Sequence, residues 1–425
     1  MTAPAFQTAW RTALVAAAVS LIAYAPFLSL PLISDDYLQI GLARHYGSWE
    51  GQQELFADAL YRCRATSLWL TWAFDRLFGP GSVAINLFAL AIHVLNCMLV
   101  FAMGRWERIG WRVSAAAAIF FAVYEGHQEA VIWFAALPEL LVFFFGLLTL
   151  VAWSAWLERR EVKWLVATFA AYLLCLLSKE SGVVVMPLMA GYAWARGQRS
   201  TAAAAPLALL AVFNALYAWS IFEAQSHHLH FNDGTFSLDA PFHLTLAISA
   251  ARLLWFWGLV ALIAGLASRA PEFRALLTPA AVWIAITFLP YMFLTYMPRV
   301  PSRHTYFASA GLAILVGAAY VWAIPRFRVP PWARAALIAG MLLHNSLYLW
   351  VKKLPQYRER ARATQELLEY AGKHPGPVSV SCFPYGDDII YHSLQISGGR
   401  RRDQIRVVKS DHPPAEDSFC HSGQP

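Results

Sequence analysis

The sequence predicts an all-α polytopic membrane protein with about eleven transmembrane helices and a small α/β segment at its C-terminal end. Of the 425 residues, 58% are hydrophobic and 14% are charged, whereas a soluble domain carries about 25% charged residues. The mean hydropathy is +0.46, and 18 Trp and 17 Tyr are available to anchor helix ends at the membrane interface. The net charge of +7 comes from short basic clusters between apolar segments, which indicates membrane topology and no nucleic-acid partner.

A membrane-spanning helix needs about 20 predominantly apolar residues. Candidate spans occupy residues 12–32, 83–103, 113–123, 138–157, 164–177, 182–194, 202–222, 244–266, 275–297, 306–324 and 333–351. The third, fifth and sixth are short, so the count can change by about two. The first span ends in a signal-peptide-like Ala-Tyr-Ala, but cleavage there would remove the first helix of a polytopic chain, and we interpret it as uncleaved.

Basic residues orient these spans. Alternate loops hold Arg105, Arg108 and Arg112; Arg159, Arg160 and Lys163; Arg196 and Arg199; Arg269 and Arg274; and Arg326, Arg328 and Arg334. The positive-inside rule places these loops in the cytoplasm, so the intervening loops and the C-terminal segment are predicted to lie outside. Lys352 and Lys353 argue the other way, but the alternation over five loops outweighs one pair.

Two domains follow from this pattern. Residues 1–351 are predicted to form the transmembrane domain, with a long first outer loop at 34–81 whose amphipathic stretches suit interfacial helices. Residues 352–425 are predicted to form a small extracytoplasmic domain, with a charged helix at 356–373 and strands at 377–383 and 405–409. Cys382 and Cys420 can pair if this segment faces an oxidising compartment.

An acidic pair follows the first span directly. Asp35 and Asp36 stand where the first helix emerges from the membrane, and either they are solvated acids at a helix end or they perform general base catalysis at the membrane surface. In the loop 124–139, Glu125, His127 and Glu129 are candidates for a second carboxylate and its hydrogen-bonding partner.

Glu139 has an adequate structural explanation, because it stands at the positive N-terminal end of a predicted helix that begins near Pro138.

Two further groups contain basic residues near the outer side. Lys179 and Glu180 either begin a helix and neutralise each other, or place a lysine at the membrane face where it can bind a lipid phosphate. Arg303 enters the tenth span, and its planar set of donors suits phosphate oxygens. The alternative for Arg303 is an interfacial side chain that extends toward the headgroups.

A histidine cluster has the composition of a metal site. His227, His228, His230 and Asp233 match no standard ligand spacing, so a solvated loop is the better interpretation.

The order of these groups resembles the GT-C superfamily of polytopic glycosyltransferases, especially its protein O-mannosyltransferase-like branch and relatives that carry tetratricopeptide repeats. The resemblance covers about residues 13–351, and it rests on the acidic pair, on HQEAV leading to ELL, on SKESG and on RHTYFAS. It implies a GT-C-like fold and a base at Asp35 with Asp36 beside it. The C-terminal segment lacks the repeats, which leaves the acceptor open: a protein, a lipid-linked glycan or a cell-envelope polymer all fit.

The resemblance also implies the remaining site residues. Glu129 corresponds to a second acidic residue, and Lys179 and Arg303 correspond by position to basic residues that hold a lipid phosphate. The same motifs make four more residues candidates for contacting the substrate: His127, Glu180, His304 and Tyr306.

The implied reaction moves a sugar from a polyprenyl-phosphate donor to an acceptor hydroxyl on the extracytoplasmic side, in a single inverting displacement. A phosphate leaving group needs no donated proton, so the chemistry does not require a divalent metal, whose use stays open. The main alternative is a transporter or flippase for a lipid-linked sugar, and a non-catalytic subunit of an envelope complex is a third. Transporters tend to place ionisable residues near the bilayer midplane, whereas here they collect at the outer rim. Short loops favour a bacterial inner membrane.

Overall fold

The computed structural model describes residues 3–224, 232–295, 298–408 and 418–421, and most of them are helical. The helices of the first half are α1 (Ala3–Tyr24), α2 (Asp35–Tyr46), α3 (Trp49–Ala57), α4 (Ala65–Phe78), α5 (Ser82–Ala102), α6 (Gly110–Val123), α7 (Gln128–Ile132), α8 (Leu137–Arg159), α9 (Val162–Leu176), α10 (Val185–Ala195) and α11 (Thr201–Glu223). The later helices are α12 (Phe242–Leu254), α13 (Trp257–Ala267), α14 (Pro271–Phe288), α15 (Ser309–Ala318), α16 (Pro331–Leu347), α17 (Leu354–Lys373) and α18 (Asp387–Ile396).

Six helical segments within the described residues are long and apolar enough to cross a membrane: Ala9–Phe27, Ser82–Arg105, Phe134–Arg159, Thr201–Glu223, Pro271–Tyr291 and Ser309–Phe327. The pair α12 and α13 passes the same test together but is bent by 79°, which gives a seventh crossing if the pair is one broken span. The predicted spans 113–123 and 164–177 correspond to the shorter apolar helices α6 and α9. The chain is therefore an integral membrane protein, and the count of about eleven spans stays a prediction.

Helix α8 lies at the centre of the bundle. In its most apolar window 72% of the residues are buried, against 11% for α11. A helix that is apolar on all sides suits the middle of a bundle or a lipid-facing position, and burial separates these two cases. Helix α8 is thus enclosed by other helices, while α11 is peripheral and turns its apolar side chains outward.

Residues 34–81, the predicted first outer loop, are largely helical. They contain α2, α3 and α4, and an interfacial position for these helices stays a prediction. The buried residues Ala43, Tyr46, Leu55 and Leu68 form a small apolar core between these helices. This loop therefore has a packed structure of its own, which holds the acidic pair at the start of α2.

The C-terminal segment combines helices with a three-stranded parallel sheet. Strands β1 (Val378–Cys382), β2 (Ile405–Val407) and β3 (Phe419–Cys420) have the order β2-β1-β3. A disulfide joins Cys382 to Cys420 across β1 and β3. Helix α17 contributes its first half to the core of the membrane bundle and its last turns to the core around the sheet. The predicted helix and strands are present, whereas an extracytoplasmic location for this segment stays a prediction.

Candidate active site

The acidic pair begins helix α2, directly after Ser34, whose φ of +35° is rare for a residue with a side chain. Asp36 is buried, and both of its carboxylate oxygens accept backbone hydrogen bonds: Oδ2 from Ile33 N at 2.8 Å and Oδ1 from Ala135 N at 2.8 Å. Burial raises the pKa of Asp36 to about 7 against the opposing effect of these two hydrogen bonds. Asp36 therefore fastens the start of α2 to the loop that precedes α8.

Asp35 is half-buried beside two arginines. Its carboxylate accepts no hydrogen bond from any residue in the described part of the chain. Burial raises the pKa of Asp35, and the charges of Arg360 and Arg303 act in the opposite direction. A carboxylate that has no partner of its own and lies beside cationic groups is available to take a proton from a substrate.

Arg303, Glu129 and Trp133 form one group at this place. Arg303 lies in the short helix Ser302–Thr305, and its backbone N–H donates to Glu129 Oε2 at 3.1 Å. Its guanidinium Nη1 lies 3.8 Å from the same Glu129 oxygen, and its Cζ lies 5.1 Å from the centre of the Trp133 ring. The Arg360 Cζ lies 4.6 Å from the same ring. Two arginines thus lie against one indole, and one of them, Arg303, is also held by the carboxylate of Glu129.

The predicted residue Lys179 belongs to a second, more buried group. Lys179 Nζ forms an ion pair with Glu139 Oε1, which also accepts a hydrogen bond of 2.5 Å from His304 Nδ1. The Tyr291 hydroxyl donates to Glu139 Oε2 at 3.0 Å and lies 2.9 Å from Ser181 Oγ. Burial and the charge of Lys179 lower the pKa of His304 to about 3, so His304 is neutral and donates from Nδ1.

This second group corrects the structural explanation of Glu139. The sequence pattern explains Glu139 by the positive end of a helix, and it does lie in the first turn of α8. Its partners, however, are Lys179 and His304, which come from distant parts of the chain. Lys179 is thereby neutralised by a buried carboxylate, so a lipid phosphate would have to compete with Glu139 for it. The adjacent positions of Arg303 and His304 connect the two groups.

His127 and Tyr306 lie apart from Asp35, in the polar interior of the bundle. Both are fully buried. His127 Nε2 lies 2.6 Å from Ser309 Oγ, and the Tyr306 hydroxyl lies 2.7 Å from His93 Nδ1 and accepts from Asn96 Nδ2 at 3.2 Å. These contacts explain both residues as packing and hydrogen-bonding elements behind the site.

Glu180 starts the short helix Glu180–Val184 and is half-buried. Its Oε1 has no hydrogen-bond partner among the residues that the structure describes.

A cavity of about 790 Å³ opens beside Arg303. Its lining includes five cationic side chains, Arg252, Arg299, Arg303, Lys352 and Lys353, and two carboxylates, Glu125 and Glu129. Arg252 Nη1 lies 3.7 Å from Glu125 Oε1. The excess of positive charge suits an anionic ligand, and Arg303 is shared between this cavity and the group around Asp35.

The sequence pattern does not single out Trp133 or Arg360 as site residues. Tryptophan is common in this chain, and Arg360 lies in a charged helix among several similar residues. The only available signal was the spacing of Tyr357 and Arg360, which places both on one face of α17.

No group of three or more potential metal ligands occurs in the described ranges of the chain. Of the histidine cluster considered above, His227, His228 and His230 lie outside those ranges.

Comparison with solved structures identifies the fold. The chain is similar to ArnT from Cupriavidus metallidurans bound to undecaprenyl phosphate, with a TM-score of 0.55, 14% identity and coverage of 94% of this chain and 89% of that one. It is also similar to the oligosaccharyltransferase AglB from Archaeoglobus fulgidus in complex with an inhibitory peptide and a dolichol-phosphate, with a TM-score of 0.53, 12% identity and 92% of this chain covered. The match spans 64% of AglB.

No protein-family model matches the sequence, and no curated protein matches it. ArnT and AglB are GT-C glycosyltransferases, so the predicted GT-C-like fold is confirmed. The O-mannosyltransferase-like branch stays a prediction.

Proposed function

We propose that this protein is a membrane glycosyltransferase that moves a sugar from a polyprenyl-phosphate donor to an acceptor hydroxyl. The observation that carries the proposal is Asp35, a half-buried carboxylate without a hydrogen-bond partner in the described part of the chain, beside Arg303. It follows the first helix of a GT-C-like fold. The structures of ArnT with undecaprenyl phosphate and of AglB with a dolichol-phosphate support a lipid phosphate as the donor's carrier.

The chemistry is a single displacement at the anomeric carbon. The Asp35 carboxylate takes the proton of the acceptor hydroxyl while the acceptor oxygen forms its bond to the anomeric carbon. The bond between that carbon and the phosphate oxygen breaks, and its electron pair leaves with the polyprenyl phosphate. Attack from the face opposite the leaving group inverts the anomeric centre. Arg303 stabilises the charge that grows on the phosphate.

The other acids have supporting parts in this proposal. Both oxygens of Asp36 are occupied by backbone N–H groups, so Asp36 fixes the position of Asp35 and does not itself take the proton. Glu129 holds the backbone and guanidinium of Arg303. The cavity beside Arg303 admits the anionic part of a substrate. The site is proposed to face the extracytoplasmic side, because the basic loops join the opposite ends of the helices. The short loops favour a bacterial inner membrane as the location.

The test is to incubate the purified protein with a panel of polyprenyl-phosphate sugars and to measure the release of free polyprenyl phosphate. Asp35→Asn is expected to lower the rate about 10²- to 10⁴-fold, the usual contribution of a general base. Binding of polyprenyl phosphate should persist in this variant, because the arginines remain. Asp239→Asn, at an exposed acid, is the matched control and should keep the wild-type rate.

Asp35 also predicts a pH dependence. Because burial raises its pKa, the rate should fall as the pH decreases through a value above 3.8, and this acid limb should be absent from the residual rate of Asp35→Asn. Wild-type turnover in Asp35→Asn would remove Asp35 as the base. Release of no polyprenyl phosphate from any donor, together with sugar-lipid movement across vesicles, would favour the flippase.

A further inference from the structure

Helix α17 brings a second guanidinium to the site from the C-terminal segment. The Arg360 Cζ lies 4.6 Å from the centre of the Trp133 ring and 5.6 Å from that of Tyr357. The Arg303 Cζ lies 5.1 Å from the same Trp133 ring. Two arginines separated by almost 60 positions in the sequence therefore lie against one indole, which attracts each of them through its π-system.

Neither guanidinium has its hydrogen bonds satisfied. Within the described residues, neither donates a hydrogen bond, and the nearest carboxylate oxygen to Arg303 is Glu129 Oε2 at 3.8 Å. Each guanidinium carries five N–H donors in a planar fork that matches the oxygens of a phosphate. The two guanidiniums carry the same charge, and an anion that contacts both of them would reduce the repulsion between them.

The position of Arg360 is fixed by contacts on both sides of it. The Tyr357 hydroxyl donates to Gln128 Oε1 at 2.5 Å, and Gln128 Nε2 donates to Ser302 Oγ at 2.7 Å, next to Arg303. The Tyr385 hydroxyl donates to the Arg360 carbonyl oxygen at 2.8 Å. These bonds tie α17 to the loop of Arg303.

The acidic pair lies at the same place. Ala135, two positions after Trp133 in the sequence, donates a backbone hydrogen bond of 2.8 Å to Asp36 Oδ1. This bond holds the start of α2 close to the Trp133 segment. An anion bound by the arginines on Trp133 would consequently lie next to Asp35.

We propose that Arg360 and Arg303 together bind the phosphate of the lipid-linked donor, so that the C-terminal segment completes the active site. We call this pair with Trp133 the arginine cradle. The inference rests on the proposed function for the identity of the donor, but the cradle's anion binding is measurable without turnover. It gives the C-terminal segment a direct part in substrate binding.

The experiment measures binding of undecaprenyl phosphate to the full-length protein, with uncharged undecaprenol as the comparison ligand. Arg360→Gln is expected to weaken undecaprenyl phosphate binding about 10- to 100-fold, the usual effect of losing hydrogen bonds to a charged group. Its affinity for undecaprenol should be unchanged. Arg360→Lys keeps the positive charge but lacks the planar fork of donors. Its affinity for undecaprenyl phosphate should lie between those of the wild type and Arg360→Gln. Arg358→Gln, at an exposed arginine of the same helix, is the matched control and should bind as the wild type does.

A double variant tests whether the two arginines act together. If both hold one phosphate, the loss in Arg303→Gln/Arg360→Gln should differ from the product of the two single losses. Wild-type affinity in Arg360→Gln, with a loss in Arg303→Gln, would overturn the cradle while leaving the proposed function standing. If Arg360→Gln does not fold, Arg360→Lys decides: a loss specific to the phosphate supports the cradle, and wild-type affinity overturns it. Absence of turnover with every donor would refute the proposed function without changing this comparison.

Discussion

At the scale of single residues, two adjacent aspartates of the same sequence motif have different surroundings. Asp36 is buried and accepts two backbone hydrogen bonds, while Asp35 is half-buried and faces arginines. Adjacent residues at the start of a helix point about 100° apart, so one can face the protein interior while the other faces the site. A motif of two identical acids therefore contains one structural and one available carboxylate.

This difference predicts that only one of the two alanine variants is destabilised. Asp36→Ala leaves the N–H groups of Ile33 and Ala135 without an acceptor, which should cost about 1–3 kcal/mol for each buried donor. Asp35→Ala removes no hydrogen bond seen in the described residues and should leave the melting temperature nearly unchanged. Thermal unfolding of both purified variants measures this, and equal melting temperatures would refute the assignment.

Asp36 also makes the stability of the folded protein depend on pH. The pKa of Asp36 is raised from 3.8 to about 7 in the folded protein, so the folded state binds more protons than the unfolded state between these values. The stabilisation that the folded protein gains from binding this proton is fully present below the pKa that Asp36 has in the unfolded chain. It is lost as the pH rises through about 7, the pKa of Asp36 in the folded protein. The difference in melting temperature between the wild type and Asp36→Ala should therefore narrow from pH 4 to pH 7. A widening over this range would contradict the raised pKa.

The buried pair of Lys179 and Glu139 gives a second residue-scale prediction. Lys179→Met leaves a buried carboxylate without its cation and should destabilise the protein by about 3–5 kcal/mol. Adding Glu139→Gln removes the unpaired charge and should restore much of that loss. In the double variant, undecaprenyl phosphate affinity should stay near that of the wild type, because Glu139 already neutralises Lys179. A large loss of affinity in the double variant would instead support the phosphate contact expected from the sequence.

At the scale of elements, close contacts between helices decide where the site residues meet. Helix α15 follows the loop of Arg303, and it packs directly against α6, which precedes the loop of Glu129. At Gly317 an added Cβ would lie 2.5 Å from the Val113 carbonyl oxygen and 2.9 Å from the Ala117 nitrogen. Only glycine permits this approach of two backbones.

Gly317→Ala should therefore separate α15 from α6 and destabilise the protein by about 1–3 kcal/mol, the usual cost of overpacking. Gly340→Ala, on α16, is the matched control because nothing lies within 4 Å of its added Cβ. The control should be neutral or slightly stabilising, since alanine favours a helix more than glycine does. Melting temperatures of the two variants provide the measurement, and a stable Gly317→Ala would show that the helices can separate without cost.

At the scale of the whole molecule, the proposed chemistry requires all parts of the site to lie on one side of the membrane. The loops of Asp35, Glu129 and Arg303 meet at one end of the bundle, together with the start of α17. The arginine-rich connections between α10 and α11 and between α15 and α16 join other helix ends. The positive-inside rule then predicts that Asp35 lies outside.

Single-cysteine labelling tests this orientation. Glu50→Cys, in α3 of the first loop, should react with a membrane-impermeant maleimide in intact cells, whereas Ser200→Cys, before α11, should react only after the cells are opened. The free native cysteines of the described residues are buried, which keeps the background low. The reverse pattern would place Asp35 in the cytoplasm and remove the proposed active site.

By itself, the sequence determined that this is a membrane protein and that Asp35 follows its first apolar segment directly. An excess of apolar residues can be accommodated only in a membrane, and the order of short polar motifs was sufficient to predict a GT-C-like fold. The helix and the first two strands of the C-terminal segment also followed from local patterns, because periodicity and turn residues act over short distances.

Only the tertiary structure decided which side chains contact each other at the site. Lys179 forms an ion pair with Glu139, and Asp36 accepts a hydrogen bond from Ala135. Arg360 lies against the ring of Trp133. Each of these contacts joins segments that are far apart in the chain. A charged residue has the same local pattern whether its charge is free for a ligand or neutralised by a distant side chain. Only the packing of the helices determines which charges remain available, because packing sets the distances on which electrostatic interactions depend.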